Sequence, residues 1–181
     1  MDMSWESEKE LEILLATSER GYSLIEKLIA EVEDVDDVTI LSIKNQVNLG
    51  QYGVADIIVN WVDAPDALTN ITVIELKNTE LKECHIGQVL RYHTGLRRIT
   101  RGSDYVIANP IIVTSNKKNR DNATFCLNYA TDVEWFYTQM TLDGLTLCDL
   151  NEGDKEMWKF SEIPEGEEEK ILAELENYGG N

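Results

Sequence analysis

Apolar residues recur every three to four positions near the start of the chain, and this period predicts two helices. A Ser-x-x-Glu capping box at Ser7 precedes three leucines at helical spacing, so the first helix should cover about residues 7–17. The same spacing over residues 22–29 predicts a second helix. This helix should end before the acidic sequence EDVDD.

Three segments rich in β-branched residues follow the two helices. Strands are predicted over residues 38–49, 52–62 and 71–77. Gly50 and Gly53 mark a turn or bulge between the first two strands, and the polar sequence DAPDALTN should form the loop before the third. The pattern therefore predicts a meander of three strands.

Helical spacing returns after the third strand. It predicts a long helix over about residues 81–101, with Gly102 at its C-cap and Gly87 permitting close packing on the sheet. The later segments YVIANPIIVTS and DVEWFYTQM are strand candidates, and Pro110 suggests a bulge or an edge in the former. This order of elements predicts an α+β or α/β fold with a mixed central sheet flanked by helices.

The length of 181 residues is enough for one well-buried core and short for two. We therefore expect one folded domain over residues 1–160 and an acidic C-terminal extension over residues 161–181. The N-terminal residues lack the pattern of a signal peptide, and no run of apolar residues is long enough to span a bilayer. A cytoplasmic protein with no membrane partner is expected, and three widely spaced cysteines fit reduced thiols.

The net charge of −18 argues against a nucleic-acid partner, but the charge is unevenly distributed. Most of the acidic excess lies at the two ends of the chain. Between Lys77 and Arg120, nine basic residues face three acidic ones. This basic segment supplies candidate DNA-binding residues: Arg91, Arg97, Arg98, Arg101, Lys117, Lys118 and Arg120. The alternative is that the arginines pair with the acidic residues of the protein itself.

Two acidic residues interrupt apolar strands where a buried strand rarely tolerates a charge. Asp56 lies in VADIIVNW and Glu75 in ITVIELKN, with Lys77 two residues later on the same strand face. If the two strands pair in antiparallel fashion, the carboxylates lie side by side. They would then repel each other unless a cation binds between them, and Mg²⁺, for which Mn²⁺ can substitute, is the natural choice. Lys77 would orient the attacking water or neutralise charge on a phosphate, which indicates phosphodiester hydrolysis.

A structural role for the same charges is the alternative. Asp56 could cap a turn, and Glu75 with Lys77 could be a solvated pair on an exposed face. The near-continuous apolar runs around both carboxylates favour burial instead. Cys84, His85 and the second histidine, His93, do not have the spacing of a known zinc site, so core or surface roles are expected for them.

The sequences GVAD (residues 53–56), ELK (75–77) and HIGQVLRYH (85–93) together resemble the PD-(D/E)XK nuclease superfamily. Within it they are most similar to the RecB-type branch and to mismatch endonucleases of the NucS type. The similarity extends upstream through QVNLGQYGVADIIV and SEKELEILL, and it covers about residues 7–115. The resemblance implies a restriction-endonuclease-like core within residues 1–160 and a Mg²⁺-dependent enzyme, with endonuclease action on DNA.

The resemblance also implies roles for individual residues. Asp56 and Glu75 would be metal ligands together with the main-chain carbonyl of Leu76, and Lys77 would serve the attacking water. Duplex, flap, branched, mismatched and single-stranded DNA all remain candidate substrates.

Residues outside this motif would support it. Gln88 and Tyr92 would form the Gln-x-x-x-Tyr pair of the family on one helix face, in reach of the DNA backbone or Lys77. Glu12, or less favourably Glu8, would support the metal from the first helix through water. Gln46 stands where some relatives have an acidic residue, and this departure weakens the case for a second metal.

The rival interpretation is non-enzymatic. The same fold can act as a DNA- or protein-binding module, and the acidic surface can mimic DNA. The complete set of Asp56, Glu75 and Lys77 favours catalysis, because a module without catalysis has no need of it. A homodimer, a protein partner for the acidic termini and an origin in a virus, phage or mobile element are further expectations.

Overall fold

The computed structural model describes residues 7–65, 67–116, 118–119, 133–141, 144–150 and 155–160. Their helices and strands are, in chain order, α1 (Glu8–Thr17), α2 (Glu19–Glu33), β1 (Thr39–Asn48), a short 3-10 helix (Gly50–Tyr52), β2 (Val54–Val62), β3 (Thr69–Lys77), α3 (Glu83–Ile99), β4 (Tyr105–Ile107), β5 (Ile111–Thr114), β6 (Glu134–Thr141), β7 (Gly144–Asp149) and β8 (Lys155–Phe160). The helices and strands predicted from the sequence are present. Strands β7 and β8 were not predicted.

The two N-terminal helices form a tight helical hairpin. Ser7 caps α1 through the predicted capping box, in which the Ser7 hydroxyl and the Glu10 carboxylate each accept a hydrogen bond from the main-chain N–H of the other residue. Ser18 ends α1 and caps α2 by accepting a hydrogen bond from the Gly21 N–H. A Cβ atom at Gly21 would lie 2.2 Å from the carbonyl oxygen of Leu14, so the close crossing of the helices requires glycine there.

One mixed sheet contains the described strands, in the order β1-β2-β3-β5-β6-β7-β8, with β4 paired beside the first half of β3. Pairing is antiparallel from β1 to β3 and from β6 to β8, whereas β3, β5 and β6 are parallel. The fold is therefore mixed α+β, as the order of elements predicted. Pro110 falls between β4 and β5 and divides the predicted segment YVIANPIIVTS into two short strands.

Helices cover both faces of the sheet around β2 and β3. Helices α1 and α2 pack on one face, where Leu15 and Ile25 belong to the same buried cluster as Ile57 and Ile74. Helix α3 packs on the other face in a second buried cluster, which includes Val73 of β3. The centre of β3 is consequently buried on both sides, which explains its near-continuous apolar sequence.

The C-terminal end of α3 differs from the prediction. Thr100 caps the helix, and Gly102 adopts a positive φ of 84° two residues later, so the C-cap prediction for Gly102 was wrong. Gly87 has open space where a Cβ atom would lie, so it is not needed for close packing on the sheet. The predicted extension over residues 161–181 lies outside the described residues. Within the described residues, no helix is long and apolar enough to cross a bilayer.

Candidate active site

Asp56 and Glu75 lie side by side on the neighbouring strands β2 and β3. Ile57 pairs with Ile74 in the antiparallel register, and one step further along the same register Asp56 faces Glu75. Oδ2 of Asp56 accepts a hydrogen bond of 2.9 Å from the N–H of Leu76. The pairing that the sequence suggested is therefore present, and it brings both carboxylates to the C-terminal end of β3.

Lys77 reaches back to Glu75 along the same strand face. Its Nζ lies 2.6 Å from Oε1 of Glu75, while Glu75 is 0% and Lys77 is 8% exposed. Val73, two residues before Glu75, packs in the cluster on the α3 side, so alternation places Glu75 and Lys77 on that side as well. Among the described residues, Oε2 of Glu75 has no hydrogen-bond partner although it is buried. A buried, unpaired carboxylate oxygen is costly unless a cation or water satisfies it.

The electrostatics of the three groups reflect this crowding. Burial raises the pKa of Glu75 to about 7, and the charge of Asp56 adds to the effect. Burial also raises the pKa of Asp56, although the hydrogen bond from Leu76 opposes it. Desolvation acts to lower the pKa of Lys77, but its hydrogen bond and charge pairing with Glu75 hold that pKa above its usual value. Lys77 therefore carries a positive charge and acts as a hydrogen-bond donor.

The donor atoms at this position fit a hard cation. Within the described residues, no three His, Cys, Asp or Glu side chains are grouped to hold a metal ion. A metal would therefore have Asp56 and Glu75 as side-chain ligands and would need the main chain, water or substrate oxygens for the rest. Mg²⁺ commonly binds in this way, with few carboxylates and several waters. Oε2 of Glu75, which no protein donor contacts in the described residues, would be available to such a metal.

The two acidic residues of α1 have different partners. Glu12 is 6% exposed, and its two oxygens accept hydrogen bonds of 2.9 Å from Nδ2 of Asn45 and 2.7 Å from Nε2 of Gln46. The same Nε2 lies 3.3 Å from Oδ1 of Asp56, so Gln46 links Glu12 to the site. Glu8 instead accepts a hydrogen bond from the N–H of Asn78, immediately after β3. Asn45 was not assigned to the site from the sequence, and Gln46 was noted only as standing where some relatives have an acidic residue.

Gln88 and Tyr92 bond to each other on α3. Nε2 of Gln88 donates a hydrogen bond of 2.8 Å to the Tyr92 hydroxyl, one helical turn away. Tyr92 is buried, and its ring edge would lie only 2.9 Å from a Cβ atom at Gly53, where φ is 108°. The pair therefore shares one helix face, as the spacing predicted, and it packs against the loop that leads into β2. Their hydrogen bond is to each other and not to Lys77.

The predicted DNA-binding arginines fall into two groups. Arg91 donates to the carbonyl oxygen of Tyr52 at 2.9 Å, and Arg98 donates to its hydroxyl at 3.4 Å, so both hold the short 3-10 helix against α3. Arg97 and Arg101 line a cleft of about 340 Å³ between the end of α3 and β4. Since β4 pairs with the first half of β3, this cleft lies at the opposite end of β3 from the carboxylates. The structure therefore does not bring the four arginines together.

The basic loop after β5 is described only in part. Lys118 is exposed, whereas Lys117 and Arg120 lie outside the described residues. The neighbouring Asn119 is buried and bonds to the N–H of Leu81 and the carbonyl oxygen of Thr79, in the connection between β3 and α3. This contact fixes Lys118 close to the end of the strand that carries Glu75 and Lys77.

His85 lies in the first turn of α3, near enough to Lys77 for the lysine charge to affect its pKa. Its Nδ1 accepts a hydrogen bond of 3.2 Å from the N–H of Lys82. Burial lowers the pKa of His85, and the positive charge of Lys77 adds to this effect. The neighbouring Cys84 is an exposed free thiol. Within the described residues, no group of three or more His, Cys, Asp or Glu side chains is placed to bind a zinc ion.

No protein-family model matches the chain, and a comparison with curated proteins finds no match. Membership of a nuclease superfamily consequently stays a prediction from the motif residues.

Proposed function

We propose that this protein is a metal-dependent deoxyribonuclease of the PD-(D/E)XK superfamily, with a restriction-endonuclease-like core, that hydrolyses DNA phosphodiester bonds. The observation that carries this proposal is the position of the half-buried Asp56 beside the buried Glu75 on neighbouring strands, with Lys77 bonded to Glu75. Two adjacent carboxylates in a buried setting destabilise a fold, so a functional reason for the arrangement is favoured.

The two carboxylates and the lysine would have different roles in the reaction. Asp56 and Glu75, with the main-chain carbonyl of Leu76, would hold Mg²⁺, which when bound supplies Lewis-acid stabilisation of charge at the scissile phosphate. Glu75 holds the Lys77 ammonium group in place at 2.6 Å. Lys77 would donate a hydrogen bond to the attacking water or to the phosphate oxygens as negative charge develops there.

Cleavage assays test this proposal directly. The protein should be incubated with supercoiled, linear, single-stranded and branched DNA in Mg²⁺, Mn²⁺ or EDTA. We expect cleavage that requires millimolar-scale metal, because a site with few protein ligands binds Mg²⁺ weakly without substrate. Asp56→Ala and Glu75→Ala should abolish cutting. Asp63→Asn is the matched control, because it removes an exposed carboxylate just after the same strand β2.

The second candidate function is a non-catalytic module of the same fold, and the net charge of −18 favours it. Cleavage that persists in purified Asp56→Ala protein would reject the assignment of the site. Binding of DNA or of a protein partner, with no cutting of any substrate in Mg²⁺ or Mn²⁺, would favour the non-catalytic function.

A further inference from the structure

Gln46 has an unusual backbone conformation within β1. Its φ is 50°, in the left-handed region that residues other than glycine rarely adopt. The ladder continues on both sides of it, because Asn45 pairs with Ile57 and Val47 pairs with Ala55. Gln46 therefore lies opposite Asp56 in the register. A strained backbone conformation at a position facing a candidate metal ligand calls for a functional explanation.

The strained conformation has a direct structural result. Consecutive strand residues normally point to opposite faces of a sheet. Asn45 and Gln46 are consecutive, yet both donate hydrogen bonds to the carboxylate of Glu12 on α1. The left-handed φ at Gln46 breaks the alternation and lets both amides reach the same carboxylate.

The amide of Gln46 also acts on the candidate ligand itself. Its Nε2 carries two hydrogens and lies 2.7 Å from Oε2 of Glu12 and 3.3 Å from Oδ1 of Asp56. The other oxygen of Asp56 accepts the hydrogen bond from Leu76. Donors on two different strands therefore orient both oxygens of Asp56, and Glu12 anchors one of those donors.

We propose that Gln46 is a positioning residue, which ties the Asp56 carboxylate to the buried Glu12 and is kept in a strained conformation for that role. This inference rests on the proposed function, because it concerns the same metal site. Groups that orient a metal ligand commonly change metal affinity or activity by about 10- to 100-fold when they are removed.

Two substitutions separate the side chain of Gln46 from its backbone. Gln46→Ala removes the amide and keeps the strain, whereas Gln46→Gly removes the amide and suits a positive φ, so relief of the backbone strain should partly offset the lost hydrogen bond to Glu12. The matched control is Asn60→Ala. Asn60 donates a hydrogen bond of 2.8 Å from its side-chain amide to Ser42 across the same pair of strands, away from the site.

The primary readout is the affinity for Mn²⁺ alone, measured by electron paramagnetic resonance without DNA. Both Gln46 variants should bind Mn²⁺ about 10- to 100-fold more weakly, and cleavage should show a lower kcat at fixed metal with KM for DNA little changed. Asn60→Ala should keep the parent Mn²⁺ affinity. Unfolding in urea should show that Gln46→Gly remains folded.

Each failure points to a different conclusion. Gln46→Gly protein that binds Mn²⁺ and cuts DNA like the parent protein would overturn the role of Gln46 while leaving the nuclease proposal intact. Equal losses in Asn60→Ala would overturn it too, because the effect would then belong to the strand pair in general. A parent protein that binds Mn²⁺ but cuts no DNA would reject the nuclease, and the Mn²⁺ affinities would still decide on Gln46. A parent protein that binds no Mn²⁺ would overturn both.

Discussion

Nζ of Lys77 and Oε1 of Glu75 lie 2.6 Å apart in a part of the sheet where neither residue is more than 8% exposed. One oxygen of Glu75 therefore holds the lysine, while the other is left without a partner in the described residues. With its two oxygens in these different environments, Glu75 could bind Lys77 through one oxygen and the proposed metal through the other.

Replacing Lys77 should separate chemistry from binding. Lys77→Ala should lower the cleavage rate by orders of magnitude and leave DNA affinity nearly unchanged, because the contact that is lost matters most in the transition state. Affinity is measured by gel shift in Ca²⁺, which prevents turnover. Lys44→Ala, which removes an exposed lysine from β1, is the control. Equal losses of rate and affinity would mean that Lys77 is mainly a phosphate clamp.

The raised pKa of Glu75 predicts how stability depends on pH in the absence of metal. The folded protein holds this proton up to about pH 7, whereas the ordinary value of 4.5 applies when the chain is unfolded. The folded state thus binds this proton more tightly, so the contribution of Glu75 to stability is fully present below about pH 4.5 and is lost as the pH rises through 7. At about 1.4 kcal/mol per pKa unit, the loss should be roughly 3 kcal/mol.

Urea unfolding in EDTA between pH 5 and pH 8 measures this loss. Glu75→Gln removes the titrating group and should flatten the dependence over that range. The comparison with this variant also cancels the pH dependence of the many other acidic groups. Added Mg²⁺ should recover stability at pH 8, where the carboxylate is ionised. If the two proteins differ in stability by the same amount at pH 5 and pH 8, Glu75 does not titrate near neutral pH.

Features set by neighbouring residues could be predicted from the sequence. The capping box at Ser7 and the helix after it depend on contacts within one turn, and both were predicted correctly. The meeting of Asp56 and Glu75 followed from strand alternation and a short connection, which together restrict the pairing of β2 and β3.

Features that depend on distant contacts were not predicted. Gln46 has a left-handed backbone and donates a hydrogen bond to Glu12, a carboxylate 34 positions earlier in the chain, and the strand sequence gives no sign of either. Arg91 and Arg98 were assigned to DNA from their charge and their spacing on the predicted helix, but their hydrogen bonds go to Tyr52, which lies 39 and 46 positions away. Charge and helical spacing do not reveal which loop packs on that helix face.

Two glycines of α3 offer a test of that packing. A Cβ atom at Gly95 would lie 2.6 Å from Cγ of Tyr52, so Gly95→Ala should displace the short 3-10 helix and destabilise the protein by about 1–3 kcal/mol. Gly87 has open space around it, so Gly87→Ala should instead stabilise the helix by up to about 1 kcal/mol. Urea unfolding checks both. Equal effects of the two substitutions would show that the segment around Tyr52 is not held against α3.

The last prediction concerns how a protein of net charge −18 would bind DNA, which is itself a polyanion. Lys118 is exposed and lies next to Asn119, whose buried hydrogen bonds fix that segment beside the end of β3. DNA that reaches the carboxylates should therefore meet this basic loop. Each phosphate contact contributes a slope of about −0.9 to log affinity against log salt on duplex DNA.

Neutralising Lys117, Lys118 and Arg120 together with glutamine should flatten that slope and weaken all duplex sequences alike, because phosphate contacts carry no sequence information. The control replaces Lys9, Lys27 and Lys44, which are exposed residues outside the basic segment, and it changes the net charge by the same amount. Affinity is measured in Ca²⁺ across a series of salt concentrations. An unchanged slope in the first variant, or an equal change in the control, would place the DNA-binding surface elsewhere on the protein.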